Sequence, residues 1–228
     1  MTGVQTCALP ISIAADQPKG KNTVSQISFD DGVSWNLIKA PIYDSHRIKY
    51  DCQDTCYLHL HAFTERRDPR DLYGSLGAPG FMIGVGNVGP TLVEFAKGDT
   101  YMSSDGGRSW FEIAKDAHIH EFGDYGGIIL LANSEEPVDY IKYSSNGGNT
   151  FQDLKICDEK ITISNIISEP SGTTLQFVVV GQEKEATVFV SLDFTHLFLR
   201  SCDTNMEDFE TWGPLESSCY FGELVTVF

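Results

Sequence analysis

The residues best suited to chemistry lie between positions 52 and 89. Cys52 and Cys56 are separated by three residues and are followed by His59 and His61. Two readings fit. One is a small disulfide loop made in an oxidising compartment; the other is a Cys/Cys/His/His metal site, since histidines two apart on a strand share a face. The disulfide is the expected outcome, because an ordinary strand face accounts for the histidines, and neither a metal nor another cofactor is expected. Glu65-Arg66-Arg67-Asp68-Pro69-Arg70-Asp71 gathers three of the six arginines where a proline and high charge density call for a surface loop. Guanidinium forks suit carboxylates, which makes Arg66 and Arg67 candidate contacts for an acidic or C-terminal group on a bound protein. The plainer reading is a self-neutralising loop. Gly84-Val85-Gly86-Asn87-Val88-Gly89 has the look of a dinucleotide fingerprint, but no helical pattern follows it. A strand end with turns is expected there, and His118 and His120 fall in a segment that fits either strand or loop.

The elements that would position these residues follow from composition and repetition. In 228 residues, 41% are hydrophobic, enough for one core or two small ones. The 32 acids against 16 bases give a net charge of −16, which opposes any face that must neutralise nucleic-acid phosphates, so nucleic acid is not expected as a partner. One pattern recurs, Ser-x-Asp-x-Gly-x-x-Trp: Ser28, Asp30, Gly32 and Trp35, then Ser103, Asp105, Gly107 and Trp110. A weaker copy holds Ser144, Asn146, Gly148 and Phe151, and Ser191-Leu192-Asp193 reads as a fourth that lacks its second half. Asp or Asn bonds backbone two residues on, Gly supplies positive φ, and the aromatic opens the next strand. The copies start 75, 41 and 47 residues apart. The last two spacings match a propeller blade of roughly 40–50 residues, and the first is a blade with an insertion. Short β-branched and aromatic runs flank the turns and no helical stripe appears, so the chain is expected to be all-β, with three to four four-stranded blades.

The repeated turn resembles the Asp-box of sialidases, some glycanases and sortilins. The intervening segments separate these families. Cys52-Gln53-Asp54-Thr55-Cys56-Tyr57-Leu58-His59-Leu60-His61, Thr64 to Pro69, Met82 to Gly89, and the pattern Cys202…Trp212…Cys219-Tyr220-Phe221-Gly222 resemble the sortilin family, above all its fungal vacuolar-sorting branch. The resemblance implies the last blades of a ten-bladed propeller over residues 16–200 and the start of a small cysteine-rich module over 201–228. It also agrees with a Cys52–Cys56 disulfide and implies downstream partners for Cys202 and Cys219. Cys157 reads equally as a buried thiol or as bonded to another blade. Thr2 to Ser12 resembles the translation of a sequencing adapter, so residues 1–15 are read as a non-native leader and the chain as truncated at both ends.

The implied function is the luminal cargo-binding part of a type I receptor that carries soluble vacuolar or lysosomal hydrolases from Golgi to late endosome. Membrane attachment would run only through a span that this stretch lacks, and no catalytic residue is expected. His59, His61, His118 and His120 are the candidate titrating groups for release as luminal pH falls. The alternative is a sialidase-like glycosidase, which needs clustered arginines and a tyrosine assisted by a glutamate. Three of the six arginines share one loop and Arg108 lies in a turn, a poor distribution for a central clamp.

Overall fold

The computed structural model describes residues 12–16, 23–51, 56–68, 73–74, 77–169, 171–197, 203, 219–220 and 223–224. The fold is all-β and every strand pairing is antiparallel. The chain divides into two compact units, Met1–Asp193 and Phe194–Phe228. The first begins with β1 (Ser12–Asp16), β2 (Val24–Ser28), β3 (Asn36–Lys39), β4 (Tyr57–Leu60), β5 (Met82–Gly89), β6 (Asp99–Ser103) and β7 (Phe111–Ala114), which form one seven-stranded sheet in chain order. A four-stranded sheet follows, made of β8 (His118–Gly123), β9 (Ile128–Asn133), β10 (Tyr140–Ser144) and β11 (Gln152–Lys155). A three-stranded sheet holds β12 (Thr162–Ile167), β13 (Gln176–Glu183) and β14 (Ala186–Asp193). In the second unit, β15 (Cys219–Tyr220) and β16 (Glu223–Leu224) pair as a hairpin.

Side-chain burial follows the pleat. In β13, Phe177, Val179 and Gly181 are buried while Gln176, Val178 and Gln182 are exposed, the alternation of a sheet with one covered face. Ile128, Ile129, Leu130, Leu131 and Ala132 of β9 are all buried, as an unbroken apolar run requires. One core cluster joins Ile27 and Ile38 to Leu58, Leu60, Tyr101 and Trp110. A second joins Ile83, Met102 and Ala114 to Phe122, Ile129 and Leu131, with Phe151 against it. Two of the repeat aromatics, Trp110 and Phe151, thus fill the cores between successive groups of strands.

Several expectations change. Residues 12–15, set aside with the leader, belong to β1: Ser12 to Asp16 pair with Ser28 to Val24, and Ile13 packs on the first core cluster. Two residue pairs between β3 and β4, Ile38↔Leu58 and Lys39↔Tyr57, merge what the repeat spacing divides into two sheets. Gly84 to Gly89 lie in the body of β5 instead of a turn. These glycines serve close packing: a Cβ at Gly84 would meet the Tyr73 ring, and one at Gly86 would overlap the carbonyl oxygen of His59. The expected loop after His61 begins with one helical turn, α1 (Phe63–Arg66), ended by Arg67 in the left-handed region at φ 57°. Ser191-Leu192-Asp193 continue β14, where Asp193 pairs with Gln176, and form no turn of the repeated kind. Among the described residues no helix is long and apolar enough to cross a membrane.

Candidate functional site

The three repeated turns share one set of bonds. At each, the first Ser hydroxyl donates to the Asp or Asn side chain: Ser28 to Asp30 at 2.8 Å, Ser103 to Asp105 at 2.8 Å and Ser144 to Asn146 at 2.9 Å. The same hydroxyl accepts the N–H of Gly32, Gly107 or Gly148 at 2.8–2.9 Å, where φ is +81° to +86°. The Asp30 and Asp105 carboxylates then accept both the N–H and the hydroxyl of Ser34 and Ser109. Asn146 has one acceptor atom and cannot do both. Its oxygen accepts the Thr150 N–H at 3.0 Å, and its amide donates to the Thr150 hydroxyl at 2.9 Å. The indole N–H of Trp35 or Trp110 closes the turn on the carbonyl of Gly32 or Gly107. Burial alone would raise the Asp105 pKa, but the bonds from Ser109, Ser103 and the Arg108 N–H hold it below the usual carboxylate value. Trp110 is 5% exposed and Trp35 38%, so the second turn anchors the core and the first sits nearer solvent. Asp105→Ala is therefore expected to cost about 1–2 kcal/mol in urea unfolding, with Asp30→Ala costing less.

The densest polar cluster was not singled out by the sequence. Between β3 and β4, residues 42–50 make a hairpin: Tyr43 bridges Lys49, Tyr50 donates its N–H to the Ile42 carbonyl, and Arg47 takes φ +62°. Asp44 caps the turn by accepting the N–H groups of His46 and Ile48 at 2.9 and 2.7 Å. Beneath it lies Glu112 of β7, whose side chain is 0% exposed. Glu112 accepts the Ser45 N–H at 3.1 Å and hydroxyl at 2.8 Å, the Tyr50 hydroxyl, and Lys115 Nζ at 2.7 Å. Lys115 also reaches Asp44 at 3.3 Å and Asp99 at 3.4 Å. Burial by itself pushes the Glu112 pKa up; the bonds from Lys115, Tyr50 and Ser45 outweigh it and leave the carboxylate charged. Asp99 goes the other way, raised mainly by burial. The signal available in the sequence was only local, an Asp opening a turn in Tyr43-Asp44-Ser45-His46, whereas Ser45 and Glu112 are 67 residues apart.

Tyr50 and Glu112 form the tyrosine–glutamate contact that glycosidase chemistry would use, yet their electrostatics oppose it. Burial first, and then Glu112 and Tyr101, push the Tyr50 phenol far above its usual range. Glu112, which would have to act as the base, is already bonded to Lys115 and to the N–H and hydroxyl of Ser45. The described arginines sit apart in their contacts, with Arg66 over the Phe95 ring at 3.5 Å and Arg108 over Phe29 at 6.0 Å.

Of the four candidate titrating histidines, His59, His61 and His118 are buried and His120 is half-buried. His59 is fully buried; Nδ1 accepts the Ser25 N–H at 3.1 Å, and Nε2 lies 3.2 Å from the Gly89 carbonyl. With both ring nitrogens engaged this way the imidazole is neutral and offers no lone pair to a metal. His118 sits between Thr100 and the Asp116 carbonyl, and His61 meets the Phe95 ring edge-on. Burial is the main cause of the lowered pKa of both His59 and His118. The unfolded chain thus takes up protons below about pH 6.5 that the folded state refuses, so stability present above that pH is lost as pH falls. The urea midpoint is expected to drop between pH 7 and pH 5, and to flatten in His59→Gln and His118→Gln variants.

Arg66 is half-buried and its Nη2 lies 3.3 Å from Asp68, while Arg67 is exposed. Cys56 is a half-buried free thiol. Its expected partner Cys52 lies outside the described residues, as do Arg70, Arg200 and Cys202. Cys157 is also free, with its Sγ 2.9 Å from the Glu159 carbonyl.

The chain matches the family described as "Sortilin, neurotensin receptor 3" over residues 3–166, and its C-terminal part over residues 168–227. It is 41% identical over 213 residues to the vacuolar protein sorting/targeting protein 10 of Laccaria bicolor, covering 89% of this chain and 14% of that protein. Over 222 residues it is 37% identical to the vacuolar protein sorting/targeting protein PEP1 of Saccharomyces cerevisiae, covering 91% and 14%. The corresponding protein of Mycosarcoma maydis is 41% identical over 220 residues, covering 91% and 14%. The chain thus spans 14% of the length of these relatives, which are named for protein sorting and not for an enzymatic activity. Two successive family matches that together run from residue 3 to residue 227 leave one assignment: the chain belongs to the sortilin–Vps10 family.

Proposed function

We propose that this chain is part of the luminal cargo-binding region of a type I sorting receptor that carries soluble hydrolases from the Golgi to the late endosome and vacuole. Residues 16–200 supply the last blades of an Asp-box propeller and residues 201–228 open a cysteine-rich module. The observation that carries the reading is the near-complete match to a family whose fungal members are named for vacuolar protein sorting. Three turns with one shared bond set, at the ends of β2, β6 and β10, support the propeller. The engagement of Glu112 by Lys115 and Ser45, which leaves it ill-placed to serve Tyr50 as a base, speaks against a glycosidase.

Binding of cargo rests on protein contacts with no covalent step. Within the arginine pair, Arg66 is engaged by Phe95 and Asp68, so Arg67 presents the exposed guanidinium to an acidic group. Cys56, whose thiol is free in the structure, is the proposed partner of Cys52 in an oxidising lumen, a bond that would close the loop before β4.

Exchanging this segment for its counterpart in the yeast relative tests the reading. A chimera that reaches normal receptor levels on an immunoblot is expected to keep vacuolar hydrolases inside the cell. Their secretion despite normal levels, or turnover of a fluorogenic sialoside by the protein, would overturn it. Replacing Arg66 and Arg67 by Ala in the chimera is expected to weaken cargo binding; an unchanged affinity removes them from the site.

A further inference from the structure

The outer side of the 42–50 hairpin carries a second feature, which shares Tyr50 with the buried cluster beneath it. Leu37, Lys39, Ile42, Lys49 and Tyr57 line a concave hollow between the hairpin and the ends of β3 and β4. Of the lining residues Ile42 is 61% and Leu37 37% exposed, and on the same hairpin Tyr43 and Ile48 are 54% and 64% exposed. Such a cluster of large apolar side chains on a soluble surface marks a contact site. Three cations also cluster on this hairpin and the end of β3. Lys39, Arg47 and Lys49 are all exposed, and among the described residues none has a carboxylate within ion-pair distance, in a chain with twice as many acids as bases. The hairpin's own carboxylate, Asp44, is turned inward to Lys115, and Asp51 is the exposed acid that follows.

We propose that this hollow docks an extended acidic peptide segment, seating one apolar side chain against Leu37, Ile42 and Tyr57 and placing flanking carboxylates on Lys39 and Lys49. Charge complementarity selects the occupant. Three cations with no carboxylate in ion-pair distance among the described residues, on a chain of net charge −16, offer a local attraction to a carboxylate-bearing segment. A concave, two-lysine rim fits a single chain with alternating side chains better than a flat anionic bilayer, and the whole protein's charge opposes approach to such a bilayer. The Glu112–Ser45–Tyr50 bonds hold the hairpin in place before binding, so little ordering is needed when the peptide arrives. The assignment names a surface and a partner class for the cargo-binding reading and rests on that reading for its biological role, but its test does not.

A fluorescent peptide alternating Glu and Leu, titrated into the full chain and followed by anisotropy, is expected to bind. The Lys39→Glu/Lys49→Glu double variant is expected to lose at least about tenfold in affinity. Ile42→Ser, a change at an exposed position, is expected to lose binding as well, with tryptophan fluorescence confirming an unchanged fold. The same peptide with Gln for Glu should bind as weakly as the double variant. Absence of binding, or equal affinity in the charge-reversed variant, overturns the proposal. So does sedimentation with phosphatidylserine vesicles that the peptide fails to compete, which assigns the hollow to a membrane. Self-association relieved by Ile42→Ser and indifferent to peptide assigns it to a second copy. If the yeast chimera retains hydrolases while the peptide does not bind, the surface assignment alone fails.

Discussion

Glu112→Ala is expected to lower the stability of the chain by about 3 kcal/mol and to release the 42–50 hairpin. Removing one partner of a buried, hydrogen-bonded ion pair typically costs about 3–5 kcal/mol, because the groups left behind lose their compensation. The lower end applies here: Lys115 is 35% exposed and keeps Asp44 and Asp99 as partners. The Ser45 N–H and hydroxyl and the Tyr50 hydroxyl lose their acceptor at the same time. Glu112→Gln keeps an acceptor oxygen and gives up the charge, so it is expected to lose roughly half as much. Two measurements check this. The urea midpoint should fall in the order wild type, Gln, Ala, and tryptic cleavage after the exposed Arg47 should speed up in the same order. Cleavage at an unchanged rate in Glu112→Ala would show that the hairpin does not depend on this carboxylate. The sign with pH is also fixed. A carboxylate whose folded pKa lies below its unfolded one stabilises above the ordinary carboxylate range, and that stability is lost as pH falls through the folded value.

The second large effect is expected at a position with no side chain. Gly86→Ala places a Cβ onto the His59 carbonyl oxygen and within 2.9 Å of Leu60 Cα, where β5 pairs with β4. The obstructing atoms are backbone, and moving them means breaking the Leu60↔Gly86 register. The cost is expected to be about 3 kcal/mol or more, at or beyond the upper end for overpacking. Gly89→Ala in the same strand meets first the Asn87 amide at 3.2 Å, a side chain that can shift, and is expected to cost less than half as much. Equal urea midpoints for the two variants would refute the close-approach account. Because His59 is bonded to Ser25 and Gly89, Gly86→Ala should also unsettle the junction between β2 and β4.

Much of the fold was legible locally. The Ser-x-Asp-x-Gly-x-x-Trp copies place their turns at the ends of β2, β6 and β10 because Asp or Asn, Gly and Ser each satisfy the turn through bonds no more than four residues apart. β9 and β13 were visible as short runs rich in β-branched and aromatic residues. β1 was missed because its flanks suggest foreign sequence, and only pairing with β2 gives Ile13 a place in the core. β8 was undecided because His118, His120 and Glu121 weaken its apolar pattern; pairing with β9 decides it.

By itself the sequence determined the family, the all-β class and the repeated turns, since these depend on short-range spacing and on ordered segments read directly from the chain. Only the tertiary structure decided the fate of the ionisable groups. Burial turned His59 and His118 from apparent pH sensors into neutral core residues, and it brought Glu112 across 67 residues to meet Ser45. It also separated the lysines: Lys115 faces inward among three carboxylates, while Lys39 and Lys49 lie at the surface with none in ion-pair distance among the described residues. Desolvation and long-range pairing set these outcomes, and neither is written in the spacing of residues along the chain.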